Sequence, residues 1–180
     1  MNLLYDALKY FAKFPAQSAV LSMFNKGTSL FPAYADLKAE IEALPVGSHS
    51  LFPEIKGFIF DVTEETVIKK INELSGVFMF VDYGDTRTEL FGPAKVRQHY
   101  FTLALTVARR ITASEYDNVE RLMIADDMHT LLHRVISVME KDSNPFCKRI
   151  NFPATATPAT ARISFEAIGW TVKFDIKMIQ

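Results

Sequence analysis

Cysteine is nearly absent from this chain: it occurs once in 180 residues, as Cys147, so no intrachain disulfide can form and a reducing compartment suits the protein. A small buried hydrophobe is the expected role of that side chain. Glycine is limited to 7 residues, and their placement gives no Gly-x-Gly-x-x-Gly, no P-loop and no Gly-x-Ser-x-Gly elbow. The common phosphate-cradle and nucleophile arguments therefore have no foothold. An excess of one charge is also missing, since the formal net charge is -1, and no global field exists to gather nucleic acid or an anionic membrane surface. Nucleic acid is not expected as the main ligand. Long apolar runs are lacking too: Val77 to Val81 falls far short of the roughly 20 residues that a spanning helix needs. The opening Met1-Asn2-Leu3-Leu4-Tyr5, with Asp6 and Lys9 soon after, has neither a basic n-region nor an uninterrupted apolar h-region. A cytoplasmic protein without membrane attachment is the expectation.

What is present is material for a core. Hydrophobic residues make up 49% of the chain and 15 residues are Phe, too apolar for disorder and suited to a centre filled with aromatic rings. The length fits one domain over 1–180. Leu3, Leu4, Ala7, Leu8, Phe11 and Phe14 recur at helical spacing, Pro15 stops that helix, and a further turn or two is predicted from Ala16 to Asn25 with Gly27 as its cap. Tyr34, Leu37, Ile41 and Leu44 predict another short helix, so residues 1–56 read as a helical region closed by a loop from residue 45.

From Gly57 a strand of Phe and Ile leads, through a Thr63 cap, into a helix over 63–75 with Val67, Ile68, Ile71 and Leu74 as its stripe. Val77 to Val81 then reads as a strand buried on both faces, either a parallel neighbour of the first or separated from it by another strand. Asp82 to Lys95 has the composition of an exposed loop or long hairpin tip. In the following strand Phe101, Leu103, Leu105 and Val107 point one way, while Tyr100, Thr102, Ala104 and Thr106 form a mildly polar second face available to another subunit.

The longest helical pattern spans 117–141, with Met128, Leu131, Leu132, Val135, Ile136, Val138 and Met139 on one wide apolar arc. Thr112 with Glu115, or Ser114 with Asp117, is the expected capping box. Phe146 to Phe152 is predicted as a short edge strand, and the Pro/Ala/Thr tract 153–161 as an extended loop or arm. In the last strand the inward face changes parity near Gly169, as a β-bulge would require. The fold class that follows is α+β: a mixed or antiparallel twisted sheet of about four or five strands, covered by the 117–141 and 63–75 helices and a helical N-terminal region.

Candidate chemistry is sparse. His129 and His133 stand one helical turn apart, a spacing that lets two imidazoles share a metal. The zinc-protease version needs Glu where Thr130 stands, so its general base is missing. Asp126 and Glu140 fall on the same flank as possible carboxylate ligands, yet all four border the solvent face, where polar residues belong on any amphipathic helix. Asp82 and Asp85 follow an apolar strand, where ligands of open α/β sheets often bind, but Gly84 between them describes a solvated turn equally well. Together His129, His133, Asp126, Asp82 and Asp85 define a metal- or small-molecule-binding alternative of unspecified substrate. Cys147 has Lys148 and Arg149 beside it, cations of the kind that lower a thiol pKa. The pairs Lys69-Lys70, Arg109-Arg110 and Lys148-Arg149 lack interleaved aromatics and read as solvated or subunit-bridging. No catalytic residue and no cofactor emerge, and a non-enzyme is expected.

The order of elements does carry a resemblance. An apolar strand ending Val81-Asp82-Tyr83-Gly84-Asp85, a charged loop, the strand from His99 to Val107, a long helix and a last strand from Ala167 to Ile176 together resemble phage or prophage tail terminator (tail completion) proteins, over residues 57–180. The helical region before Gly57 is longer than that pattern. The resemblance implies an α+β structural subunit that assembles into a homo-oligomeric ring, commonly a hexamer, capping the tail tube at the head-tail joint. Its implied partners are other tail or connector proteins, and its implied location is the host cytoplasm during assembly, then the virion. The family has no catalytic motif, so no site residue is carried over.

Overall fold

The computed structural model describes residues 3–27, 29–62, 64–93, 96–112, 114–152, 156–159 and 167–178. The fold is α+β. Helices α1 (Leu3–Phe11), α2 (Gln17–Leu21) and α3 (Ala33–Glu42) precede strand β1 (Gly57–Asp61), helix α4 (Glu64–Glu73) and strands β2 (Val77–Phe91) and β3 (Val96–Arg110). Helix α5 (Asn118–Lys141), a 3₁₀ turn (Cys147–Arg149), β4 (Ala156–Pro158) and β5 (Ala167–Lys177) follow. The five strands form one mixed sheet in the order β1-β2-β3-β5-β4, with β1 parallel to β2 and every other pair antiparallel. Of the two arrangements open to β1 and β2, direct pairing is the one found.

Cross-strand partners share a face, so register sorts the side chains. Phe58, Met79, Val81, Leu103, Leu105, Val107, Val172, Phe174 and Ile176 turn to one side, where Met128, Leu131, Leu132, Val135 and Met139 of α5 and Ala7, Leu8 and Phe11 of α1 join them in one core. On the other side Ile59, Phe78, Phe80 and Ala108 meet Val67 and Ile71 of α4 in a smaller cluster. Phe78 to Val81 is buried on both faces for this reason: like β1, it has helices above and below. Phe52 and Ile55 of the loop after α3 also belong to the larger core, although the loop composition gives no sign of it.

The long helix is capped one turn later than either expected box. Asp117 accepts from Val119 N and Glu120 N, each at 2.8 Å, while Glu120 reaches back to Asp117 N at 2.9 Å. Three of the four orphan N–H groups are satisfied, and an acidic side chain sits at the positive end of the dipole.

Of the two readings of the segment after Val81, a loop or a long hairpin, the hairpin is the one found: β2 continues to Phe91 and pairs with β3 down to Val96. Four further expectations are corrected. The parity switch expected at Gly169 is absent, since β3 and β5 pair without interruption from Tyr100–Lys177 to Arg110–Ala167. A switch occurs instead at Gly84-Asp85, where three steps along β2 match two along β3 between Tyr83–Leu103 and Thr86–Phe101. Gly169 serves close approach: a Cβ there would collide with the Val107 carbonyl and Ala108. Phe146 to Phe152 holds a 3₁₀ turn and a single bridge, Ile150 to Ile176, rather than a strand. Within the tract 153–161, residues 156–158 pair with β5 as β4, and 153–155, 160 and 161 lie outside the described residues, as does the Thr63 cap. Finally, α2 ends at Leu21, so Gly27 does not cap it.

Candidate functional site

The sheet divides the predicted site residues. His129 and His133 lie on α5, the first half-buried and the second exposed, with their Nε2 atoms 3.1 Å apart. His129 leans on the Trp170 indole at 4.6 Å between ring centres, and Trp170 Nε1 donates to the Ala125 carbonyl at 2.9 Å. Those contacts fix the helix against β5 and set the orientation of the imidazole. Asp126 and Glu140 are exposed on the same helix. Asp82 pairs with Ala104, which places it on the sheet face away from α5, and Asp85 is exposed in the bulge. Among the described residues no three His, Cys, Asp or Glu side chains converge in a way that would hold a metal ion. The five candidates are thus dispersed, and only the two histidines stand together.

Asp82 lies beside Asp61 in the parallel register, with Lys70 of α4 3.3 Å from Asp61. Tyr83 stacks on Phe60 at 5.2 Å, and burial, reinforced by the charges of Asp61 and Asp82, pushes its phenol above the usual value.

A second polar cluster joins the two ends of the core. Lys13 pairs with Asp142 just after α5, and its ammonium stands 4.0 Å from the centre of the Tyr10 ring. Burial alone would raise the Asp142 carboxyl. Hydrogen bonds from Lys13 and the Asn144 N–H, together with the Lys13 charge, outweigh it and hold the group below the usual carboxylate value. Cys147 donates to the Met139 carbonyl at 2.8 Å, and burial pushes its thiol up despite Lys13. The flanking Lys148 and Arg149 do not make it a thiolate. Tyr10 is 3% exposed, and its hydroxyl makes no hydrogen bond of ordinary geometry although Cys147 and Asp142 are its electrostatic neighbours. The cluster is a structural clasp: its one thiol is buried and protonated.

The remaining surface is the open half of the sheet. Beyond α4, the face opposite α5 presents Thr102 and Ala104 of β3 with Lys173 and Asp175 of β5, all exposed or half-covered. Arg87, turned to this face by the bulge, donates to Asp175 at 2.8 Å, lies 5.2 Å over the Tyr100 ring and pairs with Glu89 at 3.2 Å. Thr102 donates to the other Asp175 oxygen at 3.1 Å. Past Tyr100 and Arg87, β2 and β3 pair with no third strand among the described residues and run on as a two-stranded ribbon. No described helix is long and apolar enough to cross a membrane. Sequence patterning had already picked out this second face of β3. It left the ribbon as one of two readings, a loop or a long hairpin, because Gly84-Asp85 reads as a turn. No family model, curated protein or solved structure matches the chain.

Proposed function

We propose that this chain is a structural assembly subunit, a ring-forming protein of a phage or prophage tail of the tail-terminator type, working beside other tail or connector proteins and without a chemical step. The observation that carries the reading is the uncovered β3–β5 face bordered by the protruding β2–β3 ribbon. A sheet wall of mixed Thr, Ala, Lys and Asp is too polar for a hidden core yet flat enough to meet a copy of itself or a neighbouring protein. The ribbon supplies reach across a subunit boundary. Exposed Val119, Leu122 and Met123, which share one side of α5, add an apolar contact surface on the opposite flank.

The test is assembly. Native mass spectrometry of the chain, alone and mixed with tubes built from a neighbouring tail-tube gene product, should give a closed oligomer, with electron microscopy placing it at one tube end. A chain that stays monomeric with tubes present and leaves their ends bare would sink the reading.

A second reading, a metal-binding domain, rests on the 3.1 Å separation of the two Nε2 atoms, close to the bite of two ligands on one tetrahedral zinc. Stoichiometric metal retained by a monomer would favour it.

A further inference from the structure

A cleft of about 490 Å³ opens beside the ribbon, at the end of the sheet far from α4, and it is lined by Gln98, Tyr100, Lys148, Arg149, Asn151 and Lys177. Three separate elements build it. β3 supplies Gln98 and Tyr100, the 3₁₀ turn supplies Lys148 and Arg149, and Lys177 comes from β5 directly opposite Tyr100 in the register. They are tied together by the Ile150–Ile176 bridge, by Asn151 N donating to the Asp175 carbonyl at 2.9 Å, and by Arg149 Nε donating to the Lys177 carbonyl at 3.1 Å. That last bond fixes the guanidinium by its inner nitrogen and leaves its two terminal nitrogens for a ligand.

The charge of the cleft is uncompensated. Lys148, Arg149 and Lys177 form no ion pair among the described residues, and the nearby acids of this face, Asp175 and Glu89, are both engaged by Arg87. Three cations held together in a chain whose net charge is -1 repel one another, and an anion between them would remove that cost. The neutral lining also holds donors: the Gln98 and Asn151 side-chain amides can each give a hydrogen bond. Acceptor-only, multiply charged and compact groups fit such a wall, and an arginine fork with lysine point charges is the usual pairing for phosphoryl oxygens.

We propose that this cleft is a binding site for a compact phosphate-class oxyanion, either free or borne on a larger ligand. The site stands apart from the assembly reading: it needs only one copy of the chain and lies at the rim of the open face.

The probe is inorganic phosphate, titrated into the ¹⁵N-labelled full chain at low ionic strength with chloride-matched controls. The expected result is saturable shifts confined to residues around 98–100, 148–151 and 177. Arg149→Gln should weaken binding about tenfold and Lys148→Gln or Lys177→Gln somewhat less, whereas Lys69→Gln, on distant α4, should change nothing. Phosphoserine serves as the second arm: tighter binding than phosphate marks a phosphate carried on a larger ligand, and equal or weaker binding marks the free anion. Absence of saturable shifts, or equal weakening by Lys69→Gln, overturns the site. Because Lys148 and Lys177 are exposed, their variants keep the fold, and the unchanged spectrum outside the cleft verifies it.

Discussion

On the α5 side of β3, Leu103, Leu105 and Val107 are completely buried, whereas on the reverse side of the same strand Thr102 and Ala104 remain half-covered. One strand thus serves two purposes, and the difference lies in what each face is given to touch. The α5 side meets six buried residues of the long helix and the aromatic rings of α1, and each fully buried aliphatic side chain there contributes about 1.5–3 kcal/mol. The reverse side meets α4 only as far as Ala108, and beyond that its contacts are a threonine pair, Thr106 with Thr171 at 2.7 Å, and the half-exposed Arg87–Asp175 pair. Exposed ion pairs of that kind give roughly 0–1 kcal/mol. Stability is concentrated on one face, which leaves the other free to be shaped by partners.

That contrast is broken most directly at Leu132, fully buried on α5. Leu132→Ala should cost about 2–5 kcal/mol in urea unfolding, because the cavity it leaves is enclosed by sheet and helix. A loss below 1 kcal/mol would mean that the helix is not the principal cover.

A smaller effect is expected at Asp142, which joins the end of α5 to Lys13. Its folded carboxyl titrates below the ordinary value, so it contributes stability that is complete above the unfolded value of about 4 and is lost as pH falls through the folded value. Asp142→Asn should cost roughly 1–3 kcal/mol at pH 7 and flatten the stability profile below pH 4. Unfolding curves that fall equally steeply in acid for both proteins would remove Asp142 from the account.

Least affected should be the open face. Ala104→Glu is expected to shift stability by no more than about 0.5 kcal/mol, since its side chain lies on a half-covered surface. The same substitution should abolish assembly where the sheet face is the contact, read as loss of oligomer by native mass spectrometry with an unchanged melting temperature. Together with Leu132→Ala it separates the two faces of the sheet by their consequences.

The parts of this arrangement legible in the sequence are those set by local periodicity. The alternation from Phe101 to Val107 names its buried residues correctly, and the arc on α5 does so for Met128, Leu131, Leu132, Val135 and Met139, whereas Ile136 is half-buried, Val138 is exposed and the buried Ile124 lies outside the expected arc. The ribbon was legible only as one of two readings, because Thr86 to Phe91 has the charge of a loop and becomes a strand only through backbone bonds to β3. Tertiary pairing supplies what propensity does not. The two histidines were legible as a turn-spaced pair, whereas the basic cleft was not. Lys148 and Arg149 are adjacent in sequence, but Lys177 and Tyr100 reach them only through the register of β3 on β5. A site assembled from two strands and a turn leaves no spacing to read.

The clasp between α1 and the end of α5 has a consequence for how the chain is made. Lys13 and Asp142 are 129 residues apart, and Tyr10 and Phe11 rest on the Phe146 ring at 5.1 and 6.2 Å. At roughly 5–20 residues per second of synthesis, α1 waits on the order of ten seconds for the surface it will cover. During that interval Phe14 already has the Phe52 ring as a partner, but Tyr10 and Phe11 lack the Phe146 ring, and α5 emerges before its own cover is complete. The first helix is therefore among the last pieces to settle, and the nascent chain is most exposed to aggregation before Phe146 appears.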